Sequence, residues 1–220
     1  MIYRKLAVIF IISYLIGSIS FAIVISKAVF KKDIREFGSG NAGMTNMMRT
    51  FGKPAAFATF AGDFFKGVAA VIFARMMMAQ YWPIMNMTFE EYNFFRDVAV
   101  YAAVGGALLG HLKPVYFGFK GGKGISVAFG AMMAATPVTT SMAFIMWALI
   151  LVASKMVSLA SILCVMGYTV FTFVAYFMGY SSIPNLVAAV IFPAVIVYAH
   201  RSNIVRIMNG TENKIGQKKK

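Results

Sequence analysis

A glycine-rich stretch near the N-terminus contains residue types that bind anions. In Glu36–Thr50, with the sequence EFGSGNAGMTNMMRT, three glycines and several small polar residues precede Arg49. Glycines let backbone N–H groups turn toward one anion, and the N-terminus of a following helix adds partial positive charge. An arginine can bind two phosphate oxygens at once. The alternative is an ordinary loop with helix caps, because Ser39, Asn41 and Thr45 are common capping residues.

A second glycine-rich stretch, Phe117–Gly124 with the sequence FGFKGGKG, lies directly before an apolar segment. Its glycines can expose backbone N–H groups to an anion and its lysines supply charge. The pattern differs from a nucleotide-binding P-loop in spacing and has no strand before it, so nucleotide hydrolysis is not expected. A flexible basic loop at the membrane surface is the alternative. The residues concerned are Lys120, Gly121, Gly122, Lys123 and Gly124.

Two further polar stretches stand at the ends of apolar segments. Ser158 and Ser161 are one helical turn apart, and His200 and Asn203 have the spacing that shares one face of a helix. Serines often pack or hydrogen-bond inside membrane helices without any chemical role. Basic residues beside a span often contact lipid headgroups, but that role does not require a histidine.

Charged residues also occur within an apolar segment. Asp63 and Lys66 are three residues apart and can pair on one face of a helix. Charges within a membrane segment are energetically expensive and commonly functional, although a structural ion pair between helices is an equal alternative. His111, at the end of another apolar segment, could bond a neighbouring loop or titrate.

The composition identifies the environment of these residues. Apolar residues make up 60% of the 220 residues, and the mean hydropathy is +0.75, whereas soluble domains are about 45–50% apolar. The formal net charge is +14. Because the aromatic residues lie in the apolar runs, this charge indicates membrane orientation and anionic substrates and not nucleic acid. The single cysteine, Cys164, and the lack of a Cys/His cluster predict neither a disulfide nor a metal site.

The apolar runs predict an all-α polytopic membrane protein, folded as a single membrane domain over residues 1–220, with about seven transmembrane helices. The first run is long and lacks a small-residue cleavage site, so we expect a span and not a cleaved signal. The predicted segments are Leu6–Ser26, Pro54–Met78, Val98–Phe117, Ile125–Thr136, Val138–Val152, Val157–Gly179 and Pro184–Ala199.

Lysine and arginine favour the cytoplasmic side of short loops, which predicts an outside N-terminus and a cytoplasmic C-terminus. Ala79–Asp97 is then an outside loop, and the polar stretches face the cytoplasm. The fourth and fifth segments are short and could form one helix kinked at Pro137. One helix would place Lys218, Lys219 and Lys220 outside, against the charge rule, so we predict two elements. A re-entrant hairpin would preserve the same sidedness.

In their order and spacing, these stretches resemble the bacterial acyl-phosphate:glycerol-3-phosphate acyltransferase (PlsY) family. The motifs, from Ser13 to Lys214, are GSGNxGxTN…R, GDxxKG, GH…PV…FKGGKG, VSLAS and HRxNI…R…GTE. The resemblance implies an enzyme of the bacterial inner membrane that transfers a fatty acyl group from acyl phosphate to the 1-hydroxyl of glycerol 3-phosphate. The implied products are lysophosphatidate and inorganic phosphate, the committed step of phospholipid synthesis. No cofactor, no direct use of acyl-CoA and no obligatory protein partner are expected, and membrane lipids surround the site.

The motifs and the resemblance together predict roles for individual residues. The Gly121–Gly124 loop is predicted to bind the phosphate of the acyl phosphate, and Arg49 the glycerol 3-phosphate. The predicted catalytic residues are Ser39, Arg49, Lys123, Ser161, His200 and Asn203. The predicted phosphate-binding residues are Gly40, Asn41, Thr45, Asn46, Lys120, Gly121, Gly122 and Gly124. The predicted supporting residues are Asp63, Lys66, His111 and Ser158, and no metal ligand is predicted.

An acyl phosphate is a mixed anhydride and already activated, so no covalent nucleophile is required. The site must mainly position two anions and stabilise developing charge. The candidates for a general base are His111, His200 and Asp63. We expect instead that the substrate phosphate accepts the proton of the attacking hydroxyl, so that no single side chain is an obligatory base.

A transporter of a phosphorylated solute is the alternative function, because a helical bundle with an intramembrane charge pair could serve that purpose. The motifs, however, are predicted to lie on one side of the membrane, with nothing comparable on the other. A scaffold or lipid-binding protein fits the motifs less well.

The predicted topology can be tested by cysteine labelling in intact cells. In a background without Cys164, a cysteine replacing Lys218 should react with a membrane-impermeant maleimide only after the cells are opened. A cysteine within Ala79–Asp97 should react from outside and serves as the positive control. Efficient labelling at position 218 in intact cells would contradict the predicted orientation.

Overall fold

Apolar helices form nearly all of the chain in the computed structural model, which describes residues 2–81 and 87–216. These residues form ten α-helices and no β-strand. The helices are α1 (Ile2–Gly17), α2 (Phe21–Phe30), α3 (Met44–Phe51), α4 (Lys53–Tyr81), α5 (Phe89–Leu112), α6 (Ile125–Ala135), α7 (Pro137–Ser154), α8 (Val157–Phe177), α9 (Ile183–Ala199) and α10 (Arg201–Met208).

Several of these helices are long and apolar enough to cross a membrane, so the predicted all-α polytopic class is confirmed. In the described residues five stretches qualify, and the pair α9 and α10, bent by 63°, would make a sixth. The α6 helix has 11 residues, which at about 1.5 Å per residue is shorter than a hydrocarbon core of about 30 Å. The five stretches are Ile2–Phe30, Lys53–Gln80, Phe89–Phe117, Pro137–Ser154 and Val157–Phe177.

The count of seven spans and the orientation of the termini stay predictions. The lysines at 218–220, on which the orientation partly depends, lie outside the described residues. The chain groups into two compact units, Met1–Ala135 and Thr136–Lys220. The single domain that we predicted over residues 1–220 therefore also stays a prediction.

The first apolar stretch, predicted as Leu6–Ser26, lies within the candidate span Ile2–Phe30, but its helix is broken. The α1 helix ends at Gly17 and α2 begins at Phe21. Ser18 bonds back to the carbonyl oxygen of Tyr14 through its hydroxyl, at 2.8 Å. The carbonyl oxygen of Ile19 accepts a hydrogen bond from the side chain of Lys66 at 2.7 Å. The break therefore supplies a backbone acceptor to a buried charge.

The predicted loop at Ala79–Asp97 is shorter than expected at both ends; residues 82–86 lie outside the described part of the chain, and the outside location stays a prediction. The α4 helix continues to Tyr81, and α5 begins at Phe89. Thr88 and Glu91 form a capping box, in which each side chain accepts from the backbone N–H of the other residue. This pattern could have been read from the sequence as a helix start.

The two elements predicted around Pro137 are confirmed. The α6 helix ends at Ala135 and α7 begins at Pro137. Proline is well suited to the first position of a helix because its missing N–H has no intrahelical partner there. The predicted boundaries of Ile125–Thr136 and Val138–Val152 differ from the observed ones only by short extensions.

In the first unit, glycines allow α1 and α5 to pack backbone against backbone. A Cβ atom added to Gly17 would overlap the carbonyl oxygen of Ala107 and lie 2.6 Å from its Cα. A Cβ at Gly110 would overlap the carbonyl oxygen of Tyr14 and lie 2.7 Å from the Ser18 nitrogen. Small residues at such crossings provide close van der Waals contact, which holds membrane helices together where no hydrophobic effect operates.

The first glycine-rich loop rests on an apolar cluster in the same unit. The cluster is formed by the fully or nearly buried Ala22, Ile23, Ile34, Ala42, Met47 and Ala55. Phe30 and Phe51 stack at the edge of the cluster with ring centroids 4.2 Å apart. The ends of α2, α3 and the loop between them are therefore fixed by apolar packing.

In the second unit, buried polar groups connect the helices. The hydroxyl of Tyr168 donates to Asn185 Oδ1 at 3.1 Å and lies 3.0 Å from Thr136 Oγ1. Asn185 Nδ2 donates in turn to Ser181 Oγ at 2.6 Å. Such groups must be satisfied within the protein, because lipid offers no hydrogen-bond partner.

The close crossing of α1 and α5 predicts a stability effect. Gly17→Ala should lower the free energy of unfolding in detergent by about 1–3 kcal/mol, because the methyl group meets rigid backbone. Gly167→Ala is the control, since its Cβ would meet the flexible end of Met146, which can move aside. Thermal or denaturant unfolding measures both. Equal effects of the two substitutions would contradict the predicted close crossing.

Candidate functional site

The first glycine-rich loop is held in shape by one buried side chain. Asn46 Oδ1 accepts from the Ser39 backbone N–H at 3.0 Å. Asn46 Nδ2 donates to the carbonyl oxygens of Ile34 and Phe37 at 3.2 and 2.9 Å. Gly38 has φ +59°, and its missing Cβ leaves room for the Asn46 amide.

Asn46 therefore supports the loop, and its predicted role in binding phosphate stays a prediction. Both of its N–H groups are used by backbone carbonyls, and only 2% of the residue is exposed. The remaining residues predicted in this stretch lie where a ligand could reach them. Ser39, Gly40 and Arg49 are exposed, and Asn41 and Thr45 are half-buried.

The second glycine-rich loop folds back over the end of α5. The Gly122 N–H donates to the carbonyl oxygen of His111 at 3.1 Å. A Cβ at Gly121 would overlap that same oxygen. Gly124, with φ +90°, turns the chain into α6. Glycine permits these close backbone approaches and favours this backbone conformation.

The two loops meet at Gly122. A Cβ on this residue would overlap His111 Nε2 on one side and lie 2.6 Å from the carbonyl oxygen of Ala42 on the other. Ala42 belongs to the first loop, so the predicted phosphate-binding stretches of this unit are adjacent. Lys120 is exposed and Lys123 half-buried in the second loop.

Arg35 joins the same two loops and was not predicted from the sequence. Its Nη1 donates to the carbonyl oxygen of Phe117 at 2.7 Å. Its Nε and Nη2 hold both carboxylate oxygens of Asp33 at 3.0 and 2.8 Å, and Lys27 lies 3.1 Å from Asp33. Hydrogen bonding from Arg35 lowers the pKa of Asp33 well below its usual range. An Asp-x-Arg spacing beside a span is too common a pattern to have indicated this role.

Beneath the second loop lies a buried polar cluster formed by Asp63, Lys66 and His111, which are 1%, 4% and 3% exposed. Lys66 Nζ lies 2.6 Å from Asp63 Oδ1, so the predicted pairing is confirmed. His111 Nδ1 lies 3.1 Å from Lys66 Nζ and 3.5 Å from Asp63 Oδ1. The cluster connects α4 to α5 directly below Gly122.

The predicted residues of the second unit are also buried. Ser161 Oγ accepts from Trp147 Nε1 at 3.3 Å, a contact between α7 and α8 that the sequence did not indicate. Ser158 Oγ has no hydrogen-bond partner among the described residues. The two serines lie one turn apart on α8, at the end where this helix begins.

His200 and Asn203 lie at the junction of α9 and α10. His200 Nδ1 lies 2.8 Å from the carbonyl oxygen of Ile196. Asn203 Nδ2 donates to Glu212 Oε1 at 3.0 Å, and Arg206 Nε donates to Glu212 Oε2 at 2.8 Å. Glu212 thus orients Asn203, a role that its place in the sequence motif did not reveal.

In chemical terms, the first unit offers backbone amides, lysines and an arginine around adjacent loops, which is an arrangement suited to anions. Among residues 2–81 and 87–216, no group of three or more His, Cys, Asp or Glu side chains is arranged to hold a metal ion. The predicted catalytic roles of Ser39, Arg49, Lys123, Ser161, His200 and Asn203 stay predictions.

Comparison with known proteins gives consistent matches over nearly the whole chain. The model of the family described as glycerol-3-phosphate acyltransferase matches residues 7–210. A glycerol-3-phosphate acyltransferase of Clostridioides difficile (strain 630) is 38% identical over 212 residues, covering 96% of both chains. One of Neisseria meningitidis serogroup B is 38% identical over 205 residues, covering 93% of this chain and 94% of the relative.

Solved structures with the same fold include crystal structures of PlsY, described as an integral membrane glycerol 3-phosphate acyltransferase. Its glycerol 3-phosphate form superposes with a TM-score of 0.79 and its lysophosphatidic acid form with 0.77. Both are 34% identical in sequence to this chain, and the matches cover 96% of each chain.

Proposed function

This chain belongs to the glycerol-3-phosphate acyltransferase family, and on that premise we propose that it transfers a fatty acyl group from an acyl phosphate to the 1-hydroxyl of glycerol 3-phosphate. The products are 1-acyl-glycerol 3-phosphate, which is lysophosphatidate, and inorganic phosphate. The protein is a polytopic membrane acyltransferase. We place it in the bacterial inner membrane, with the reaction on the cytoplasmic side.

The observation that carries this proposal is the meeting of the two glycine-rich loops at Gly122. Both substrates carry phosphate, so the enzyme must hold two anions that repel each other. Fixed backbone amides and basic side chains offset that repulsion without reorganising during the reaction. The long apolar helices on which the loops stand give the acyl chain of the donor a lipid-like surrounding.

The chemical step requires little of the protein because the donor is already activated. The glycerol oxygen forms a bond to the acyl carbon, and the bond from that carbon to the phosphate oxygen breaks. The hydroxyl proton goes to the leaving phosphate. Two of the alternative bases are engaged elsewhere, which supports this route: Asp63 is ion-paired with Lys66, and His111 Nδ1 lies against the Lys66 ammonium.

Arg49, with Ser39 and Asn41 nearby in the chain, is proposed to bind the phosphate of glycerol 3-phosphate. Arg49 lies in the last turn of α3, and the loop that precedes α3 is held in place by Asn46. A guanidinium fork matches the spacing of two phosphate oxygens. Ser161, His200 and Asn203 keep the catalytic roles predicted above.

The direct test uses the purified protein with an acyl phosphate and glycerol 3-phosphate. Release of inorganic phosphate should depend on glycerol 3-phosphate, and extraction should yield 1-acyl-glycerol 3-phosphate in equal amount. Omitting glycerol 3-phosphate controls for simple hydrolysis of the anhydride. Movement of glycerol 3-phosphate into proteoliposomes without any acylated product would instead support the transporter alternative.

Gly122→Ala should reduce the rate of acyl transfer by about a hundredfold or more, because its methyl group separates loops whose alignment positions the reactants. Gly118→Ala in the same loop is the matched control. Gly118 has φ +67° and no atom within 4 Å of an added Cβ, so it bears only the backbone strain of about 1–2 kcal/mol. Near-normal activity of a folded Gly122→Ala protein would refute the loop assignment.

Arg49→Lys should raise the KM for glycerol 3-phosphate by about tenfold, because lysine keeps the charge and loses the two-pronged hydrogen bond. Arg49→Ala should raise it further. The control is Arg75→Lys, because Arg75 bonds only weakly to a carbonyl oxygen at 3.4 Å, well away in sequence from either loop. Unchanged affinity for glycerol 3-phosphate in Arg49→Ala would remove Arg49 from the proposed site.

A further inference from the structure

The buried Lys66 ammonium restricts the protonation of its neighbour. A charged lysine has three N–H donors and no acceptor. Lys66 Nζ donates to the carbonyl oxygen of Ile19 at 2.7 Å, is ion-paired with Asp63 Oδ1 at 2.6 Å and lies 3.1 Å from His111 Nδ1. His111 Nδ1 must therefore accept, and the proton of a neutral His111 must be on Nε2.

A doubly protonated His111 is incompatible with this geometry. It would place two N–H cations 3.1 Å apart within a buried site, where like charges repel strongly. The Nδ1–H tautomer is equally excluded, since its proton would point at the Lys66 ammonium. Asp63 Oδ1 at 3.5 Å is a poor alternative acceptor.

The other histidine, His200, carries its proton on the opposite ring nitrogen. His200 Nδ1 lies 2.8 Å from the carbonyl oxygen of Ile196, and a carbonyl oxygen can only accept. His200 Nδ1 must therefore carry a proton, which leaves the lone pair of the neutral ring on Nε2. The sequence contains two histidines, and the structure requires a different tautomer of each.

The proton on His111 Nε2 lies on the side of the ring that faces the second glycine-rich loop. The Nε2 edge occupies the space where a Cβ of Gly122 would be, and the His111 carbonyl oxygen accepts the Gly122 N–H at 3.1 Å. Ring and backbone of one residue thus support the same glycine. A change in the orientation of the ring would therefore disturb the loop at Gly122.

We infer that His111 is a positioning residue for the Gly121–Gly124 loop, and that Lys66, fixed by Asp63 and the Ile19 carbonyl, locks it as the Nε2–H tautomer. His111 therefore does not serve as a base. This inference rests on the proposed function only in its kinetic consequence, because the tautomer is a property of the unliganded protein. The break between α1 and α2 is part of the arrangement, since it supplies the Ile19 carbonyl.

The tautomers can be read directly by NMR of protein labelled with ¹⁵N-histidine in detergent micelles near neutral pH. His111 should show a protonated Nε2 and an unprotonated Nδ1, and His200 the reverse. The variant His200→Gln assigns the signals by removing one set. An Nδ1–H or imidazolium form of His111 would overturn the inference.

The double variant Asp63→Asn with Lys66→Met tests whether Lys66 fixes the tautomer of His111. Removing Lys66 alone would leave a buried carboxylate without a partner and could prevent folding, whereas the double variant removes both charges. His111 should lose its single tautomer and show averaged ¹⁵N shifts. Retention of the pure Nε2–H form in a folded double variant would show that Lys66 does not set it.

The kinetic consequence is a selective loss of binding. In the double variant the KM for acyl phosphate should rise about tenfold or more, while kcat changes less than about threefold, as expected when ground-state positioning is lost. The control is Arg96→Met with Asp97→Asn, which deletes a partly exposed pair at 3.0 Å and should leave both constants unchanged.

The outcomes separate this inference from the proposed function. If the wild-type protein releases no phosphate from acyl phosphate and glycerol 3-phosphate, the proposed function fails, and the NMR spectrum still decides the tautomer. If the wild type is active and a folded double variant keeps the wild-type KM, the positioning role fails while the function stands.

Discussion

A charged group inside a membrane protein must find its partners within the protein, and the Lys66 ammonium imposes this constraint on the first unit. Its counterion is supplied one turn away on α4 by Asp63. Its remaining contacts come from other parts of the chain, namely the Ile19 carbonyl and His111 on α5. Leaving any of these donors unsatisfied in a buried site costs several kilocalories per mole. Three segments that are distant in the sequence therefore meet at the Lys66 ammonium.

Close backbone contacts connect the Lys66 cluster in the helices to the second glycine-rich loop. Gly17 and Gly110 let α1 approach α5, which brings the helix break next to the end of α5. At that end, Gly121 and Gly122 lie against the His111 carbonyl and ring. Each contact joins backbone to backbone or backbone to the fixed His111 ring. No long flexible side chain is involved that could move aside if one helix shifted. The second loop is consequently as well defined as the helices beneath it.

The features predicted correctly from the sequence were those that depend on local spacing. The Asp63–Lys66 pair follows from residues three apart on a helix, and the glycine-rich loops were visible as runs of one residue type. Three features were not predicted: the break after Gly17, the support of the first loop by Asn46, and the hydrogen bond from Arg35 to the second loop. Each depends on a partner distant in the chain or on the shape of a loop. Residue types and their periodicity do not indicate such long-range contacts.

Asn46 shows why a site for an activated substrate is hard to assign from its polar residues alone. When the substrate carries the reactive bond, the protein needs few groups that take part in chemistry and many that hold backbone in place. Asn46 and Arg35 both use their hydrogen-bonding groups on loop carbonyls or a neighbouring carboxylate. These two side chains therefore act through the backbone of the loops. It follows that glycines, which admit those backbone contacts, are harder to replace than the exposed lysines, whose long side chains can reach an anion from several positions.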